Sequence, residues 1–234
     1  MKEINISPRL LSAADFVRQD AILADIGTDH AYLPLFLLSQ GRITRAVCSD
    51  IHEGPLASAR ANAEAAGLSE RVELVLTDGA AALSGRGVTD YAICGMGGEL
   101  IADIIDRSPE MRSTDVRLIL QPMTRRRELV EYLYESGFSI LREAYSEDAG
   151  KHYVTLLVGY TGEVKKIDPL EAEFGRCATP CEEKSARLGY LRTRLASYKK
   201  RAQGIEKSKN GGADYSAHIA YLEKAIKETE ETVK

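Results

Sequence analysis

Over the first 160 residues short apolar runs alternate with helical segments, and this alternation restricts the possible folds more than any other feature of the chain. The strand-like runs are AILADI, AVCSD, VELVLTD, YAICG and RLILQP, and between them lie HAYLPLFLLSQ, PLASARANAEAAG, GELIADIIDRS and TRRRELVEYLYESG. Strands separated by helices run parallel, because each connection must cross back over the sheet, and the helices then cover both faces. Two further runs, FSILREAYSE and HYVTLLVGY, are joined by the short turn DAGK, so an antiparallel hairpin is expected to close one edge. A short helix, SPRLLSAADFV, precedes everything, signalled by Ser7 and Pro8 at its start. The expected fold is doubly wound α/β, a mostly parallel seven-stranded sheet.

The pattern changes near Thr161, which divides the chain into an α/β domain, residues 1–162, and a helical part, residues 163–234. DPLE and TPCE each supply a cap residue, a proline at the first helical position and a glutamate two residues on, so helices are expected to start at Asp168 and Thr179. Leu188, Leu191, Leu195, Tyr198, Ala202 and Ile205 recur at steps of three and four. After the loop KNGGAD, so do Tyr215, Ile219, Leu222, Ile226, Thr229 and Val233. Two such seams predict an antiparallel helical hairpin, a coiled coil whose stripe is its own core.

Net charge is −4, yet its distribution is uneven. Residues 1–164 carry 16 Lys or Arg against 24 Asp or Glu, whereas residues 184–209 carry nine basic side chains against the single Glu206. A basic appendage on an acidic body suits a nucleic-acid partner, since phosphate contacts are local; a solvated helix face explains the same charges. No apolar run approaches the roughly 20 residues of a membrane span, and MKEINISPRL has no signal-peptide core, so a cytoplasmic protein is expected. The four cysteines, Cys48, Cys94, Cys177 and Cys181, and four histidines lack metal-ligand spacing, and no metal is expected.

In a doubly wound sheet the ligand sits at the carboxyl ends of the strands, where strand order reverses. The first strand runs into DIGTDHAYLP, residues 25–34, and delivers Asp25, Gly27, Asp29 and His30 ahead of a helix beginning near Tyr32. A dinucleotide fingerprint needs a second glycine where Asp29 stands. A carboxylate there repels a diphosphate and attracts the sulfonium or ammonium of S-adenosylmethionine, although Asp29 is also a natural helix cap. Asp50, ending the second strand 25 residues after Asp25, suits a ribose, and Asp78, before Gly79, suits the adenine amine or else is a surface turn acid. The fourth strand runs into CGMGGE, whose glycines Gly95, Gly97 and Gly98 suggest backbone pressed against a ligand or flat substrate.

Together ADIGTDHAYLP, CGMGGELI, LILQP and the terminal hairpin resemble, over essentially the whole chain, the bacterial tRNA adenine-N1 methyltransferases of the TrmK family, which modify adenine 22. The resemblance implies a class I, Rossmann-like methyltransferase domain that binds S-adenosylmethionine, and a C-terminal coiled coil for tRNA. Carried over by position, the cofactor residues are Asp25, Gly27, His30, Asp50, Ile51, Asp78 and Gly79, with Gly95, Met96, Gly97 and Gly98 between donor and target base. Ile51 would pack on the adenine face; ordinary core is its alternative. Asp29 would stabilise the cationic product or take a proton from its amine, and Tyr32 would pack beside the donor or flipped base. Arg9 and the run Arg125, Arg126, Arg127 are candidate phosphate ligands, an exposed helix start being the other reading of the run, and Lys199, Lys200 and Arg201 are candidates on the hairpin. A monomer is expected. The rival readings are a methyltransferase for another RNA base or a small molecule, and a non-catalytic RNA-binding protein; a nicotinamide oxidoreductase is disfavoured by its missing glycines.

Overall fold

The computed structural model describes residues 4–176, 184–207 and 213–231. Thr179, Cys177, Cys181, Val233 and the Gly-Gly loop lie outside them. The first domain comprises α1 (Pro8–Ala14), β1 (Ala21–Ile26), α2 (Tyr32–Ser39), β2 (Ile43–Asp50), α3 (Glu53–Ala66), β3 (Val72–Leu76), β4 (Asp90–Gly97), α4 (Gly98–Asp106), β5 (Arg117–Thr124), α5 (Arg126–Glu135), β6 (Phe138–Asp148) and β7 (Lys151–Tyr160). They form one seven-stranded sheet in the order β3-β2-β1-β4-β5-β7-β6. The first five strands in that order are mutually parallel; β7 is antiparallel to both β5 and β6. The order reverses between β1 and β4, so the crevice of the fold opens there.

Alternation along the strands builds two cores. Leu23, Ala46, Ala92 and Ile119 face α1, α2 and α3, while their neighbours Ala24, Val47, Ile93 and Leu118 face α4 and α5. Successive side chains point to opposite faces, so strands covered on both sides are apolar throughout. In the hairpin Asp148 pairs with Lys151, leaving Ala149 and Gly150 as a two-residue turn, both left-handed at φ 49° and 74°. That backbone matches the strand twist, and glycine adopts it without strain.

The C-terminal part contains α6 (Pro169–Phe174), α7 (Lys184–Lys207) and α8 (Ser216–Glu231). Asp168 caps α6 as expected, its Oδ1 accepting from the amides of Leu170 and Glu171 at 2.9 and 3.1 Å. α7 and α8 run antiparallel: Lys184 Nζ donates to the Glu230 carbonyl, and Lys199 pairs with Glu223 at 2.7 Å. Leu191, Tyr198, Leu222 and Thr229 are buried as the seams predict. The stripe also takes in side chains from outside the hairpin. Phe174 of α6, fully buried, inserts among Tyr198, His218 and Tyr221. Arg187 and Tyr190, off the predicted seam, are buried against Tyr145 of β6. Gly189 permits this approach, since a Cβ there would overlap the His152 ring. No helix among the described residues is long and apolar enough to cross a membrane.

Candidate active site

The loop after β1 turns on Gly27, whose φ of 72° suits glycine. The amides of Gly27 and Thr28 donate to the Ser49 carbonyl of β2 at 2.8 and 3.0 Å, and a Cβ on Gly27 would overlap the Met96 methyl. Asp25 is buried at 9% exposure, with Thr28 Oγ1 donating to its Oδ2 at 2.6 Å. Burial pushes its carboxyl up to about 6, against the opposing pull of the Thr28 bond. No cation among the described residues pairs with it. Burial, reinforced by the charge of Asp25, also pushes the Cys94 thiol up to about 12, so this cysteine is a neutral thiol.

Asp29 is exposed, 3.5 Å from His30 Nε2. It does not cap α2: Ala31, at φ 55°, occupies the N-cap position and no side chain bonds the helix end. The His30 ring stacks on Tyr32 at 5.2 Å, and Tyr32 is 46% exposed. At the end of β2, Asp50 Oδ1 accepts from the His52 amide at 2.8 Å. Ile51 is 58% exposed, which removes the ordinary-core reading. Asp78, also exposed, takes Arg107 Nη1 at 2.9 Å, and the bond and charge of Arg107 hold its carboxyl below the usual range. Gly79 lies beside it at φ 63°.

The glycines after β4 serve different ends. Gly95, at φ 83°, is exposed and bends the chain, while a Cβ on Gly97 would press on Thr124 Oγ1 at 3.3 Å. Gly98 is buried, and a Cβ there would overlap the Arg125 carbonyl oxygen. Its absent side chain makes room for the protein's own backbone, which corrects its assignment as a ligand-facing glycine.

Among the candidate RNA ligands Arg126 is likewise corrected. It is buried, paired with Glu143 at 2.6 Å and bonded to the Ala172 carbonyl, so it ties α5 to β6 and α6 and cannot reach a phosphate. Arg125 is exposed but engaged by Glu128 at 2.9 Å, and Arg127 by Glu131 at 2.8 Å. On α7, Lys199 pairs with Glu223, Arg201 lies over the Tyr198 ring at 5.1 Å, and Lys200 is exposed. Arg9 comes to the β4 side of the crevice, its Nη1 donating to Gln121 Oε1 at 3.1 Å and lying 3.9 Å from where a Gly95 Cβ would be. Sequence reasoning missed Thr28, Arg107, Gln121 and Asn62, whose Nδ2 donates to the His30 carbonyl at 3.0 Å. Only Thr28, inside the first-strand loop, carried a local signal.

A crevice at a β1/β4 switch point, lined by strand-end acids and lacking the dinucleotide glycines, defines a methyltransferase domain, and the family model of that description matches residues 6–156. The chain is 31% identical over 188 residues to tRNA (adenine(22)-N(1))-methyltransferase of Bacillus subtilis (strain 168), a match covering 80% of this chain and 79% of that protein. It belongs to that family. A crystal structure of a candidate tRNA (m1A22) methyltransferase from Streptococcus pneumoniae in complex with S-adenosyl-L-methionine matches with a TM-score of 0.76 and 34% identity, over 97% of this chain and 99% of that one. M. capricolum TrmK, bound to S-adenosyl-homocysteine, has the same fold at a TM-score of 0.77 and 23% identity, over 96% and 98% of the two chains.

Proposed function

We propose that the protein transfers the methyl group of S-adenosylmethionine to N1 of adenine 22 in tRNA. The observation that carries this reading is Asp25, a buried carboxylate without a cationic partner among the described residues at the switch point, where a positively charged donor offsets the cost of its charge. The residues around it fit the same donor. Gly27 and His30 bound the space for its methionine part, Asp50 offers two oxygens to the ribose diol, Ile51 presents an apolar face to the adenine, and Asp78 beside Gly79 accepts from the adenine amine. When bound, S-adenosylmethionine supplies a methyl group on a sulfonium sulfur that departs as a neutral thioether.

The acceptor needs no base to begin, because adenine N1 already carries a lone pair. What the chain contributes is alignment, exclusion of water and stabilisation of the cation that forms on the methylated ring. Asp29, with its exposed carboxylate, balances that positive charge or accepts a proton from the exocyclic amine. Tyr32, exposed and stacked on His30, gives the flipped base or the donor a flat surface. Gly95, Met96 and Gly97 line the gap between donor and base. The antiparallel hairpin of α7 and α8 meets tRNA through Lys199, Lys200 and Arg201, joined by Arg9 and Arg125 from the catalytic domain. The protein acts as a cytoplasmic monomer.

Incubation with labelled S-adenosylmethionine and unmodified bulk tRNA, followed by digestion to nucleosides, tests the reading. Label is expected in 1-methyladenosine. Label in a different nucleoside overturns the acceptor, and donor binding without transfer overturns the assignment of tRNA as substrate.

A further inference from the structure

A buried polar ring joins α1 to β5 and β7 directly behind the acceptor side of the crevice. Gln121, fully buried on β5, accepts from Arg9 Nη1 at 3.1 Å through Oε1. Its Nε2 donates to the Arg9 carbonyl and to Thr155 Oγ1, both at 2.9 Å. Ser12 Oγ lies 2.7 Å from Thr155 Oγ1 and donates to the Arg9 carbonyl at 3.1 Å, which leaves Thr155 to donate to Ser12. Both donors and the oxygen of the Gln121 amide are thus used. A flipped amide would turn its NH2 toward a guanidinium, so the ring has one orientation.

The ring fixes a cation that the described residues leave unneutralised. Arg9 makes one side-chain hydrogen bond, to Gln121, and no ion pair among the described residues. Other arginines are engaged by carboxylates: Arg107 by Asp78 and Asp103, Arg125 by Glu128, Arg126 by Glu143. Gly95 has no side chain to cover Arg9, and the Tyr153 ring lies beneath it at 5.9 Å. A half-buried guanidinium that commits one of its five N–H groups to the protein is built to receive an anion. Close to a base that becomes cationic it would be repulsive, so its partner is a backbone phosphate of the bound nucleic acid.

Resting on the function proposed above, we infer that Gln121 is a positioning residue that holds Arg9 as a phosphate ligand at the acceptor mouth, acting on tRNA recognition and not on the donor. The test is a double-mutant cycle of Arg9→Ala and Gln121→Met, reading KM and kcat for tRNA and, by calorimetry, the Kd for S-adenosylmethionine. Each single variant should raise KM for tRNA about tenfold, as expected for one charge-assisted contact, with donor Kd unchanged. The double variant should be no worse than Arg9→Ala alone, and the slope of log affinity for tRNA against log salt should fall by about one. Additive effects would make Gln121 merely structural and overturn the inference, as would an unchanged KM in Arg9→Ala. Should Gln121→Met fail to bind donor for want of folding, Gln121→Glu, which pairs with and neutralises the Arg9 guanidinium while giving up the bond from Nε2 to the Arg9 carbonyl, must still raise KM for tRNA; an unchanged KM there also refutes it. A wild-type protein that transfers no methyl group to tRNA defeats the underlying function instead.

Discussion

Replacing Asp25 by asparagine should separate stability from donor binding, with a pH dependence set by the burial of one carboxyl. The carboxyl is pushed from its ordinary 3.8 up to about 6. One pH unit of displacement is worth about 1.4 kcal/mol, so holding Asp25 charged at this buried position costs about 3 kcal/mol at neutral pH. Between about pH 4 and 6 the unfolded chain has ionised this group while the native state keeps its proton, so native stability falls as pH rises; above 7 both states are ionised and the penalty is constant. The amide introduced by Asp25→Asn still accepts from the Thr28 hydroxyl but cannot ionise. Denaturant unfolding of both proteins at pH 4, 5, 6, 7 and 8 should therefore show the variant gaining on wild type by about 2 kcal/mol between pH 4 and pH 6 and little beyond 7. Donor affinity should move the other way: Asp25→Asn should bind S-adenosylmethionine at least about tenfold more weakly at neutral pH, roughly one charge-assisted hydrogen bond. A stability difference independent of pH, or one that shrinks as pH rises, would refute the reasoning about Asp25.

Ile51→Ala should weaken donor binding about tenfold by calorimetry while changing unfolding stability by less than about 0.5 kcal/mol, because the side chain is largely exposed until a ligand covers it. Gly98→Ala drives a Cβ into the Arg125 carbonyl and should cost about 3 kcal/mol in denaturant unfolding. Gly204→Ala, in α7 with nothing within 4 Å of the added carbon, should gain about 0.5–1 kcal/mol. Arg126→Met strands Glu143 in a buried site and should destabilise by about 3–5 kcal/mol, with KM for tRNA unchanged in the protein that remains folded.

The sheet was legible because its determinants are local. Short apolar runs set the strands, the crossovers made them parallel, and the DAGK turn between two extended runs predicted the edge hairpin. The strand-end acids followed from position alone, since a parallel sheet delivers its carboxyl ends to one side. What stayed hidden depends on contacts distant in sequence. Arg125 and Arg126 are the same residue type side by side, yet a helical turn sends one to solvent and the other onto Glu143. Gln121 and Arg9 meet across 112 positions, and nothing around LILQP announces it. Gly98 looked like its neighbours because the obstacle it avoids, the Arg125 carbonyl, belongs to another loop. The hairpin seams were visible, but Phe174, entering from α6, and the turn of Tyr190 toward Tyr145 arise from docking that heptad spacing does not encode.

A methyl group on N1 of adenine 22 blocks the Watson–Crick edge of a single nucleotide, and primer extension detects that block directly. A tRNA transcript incubated with the protein and S-adenosylmethionine, then copied by reverse transcriptase, should stop the enzyme just before adenine 22. A transcript carrying guanine at that position should be copied through. Read-through of both, or a stop that survives the base change, would contradict methylation at N1 of adenine 22.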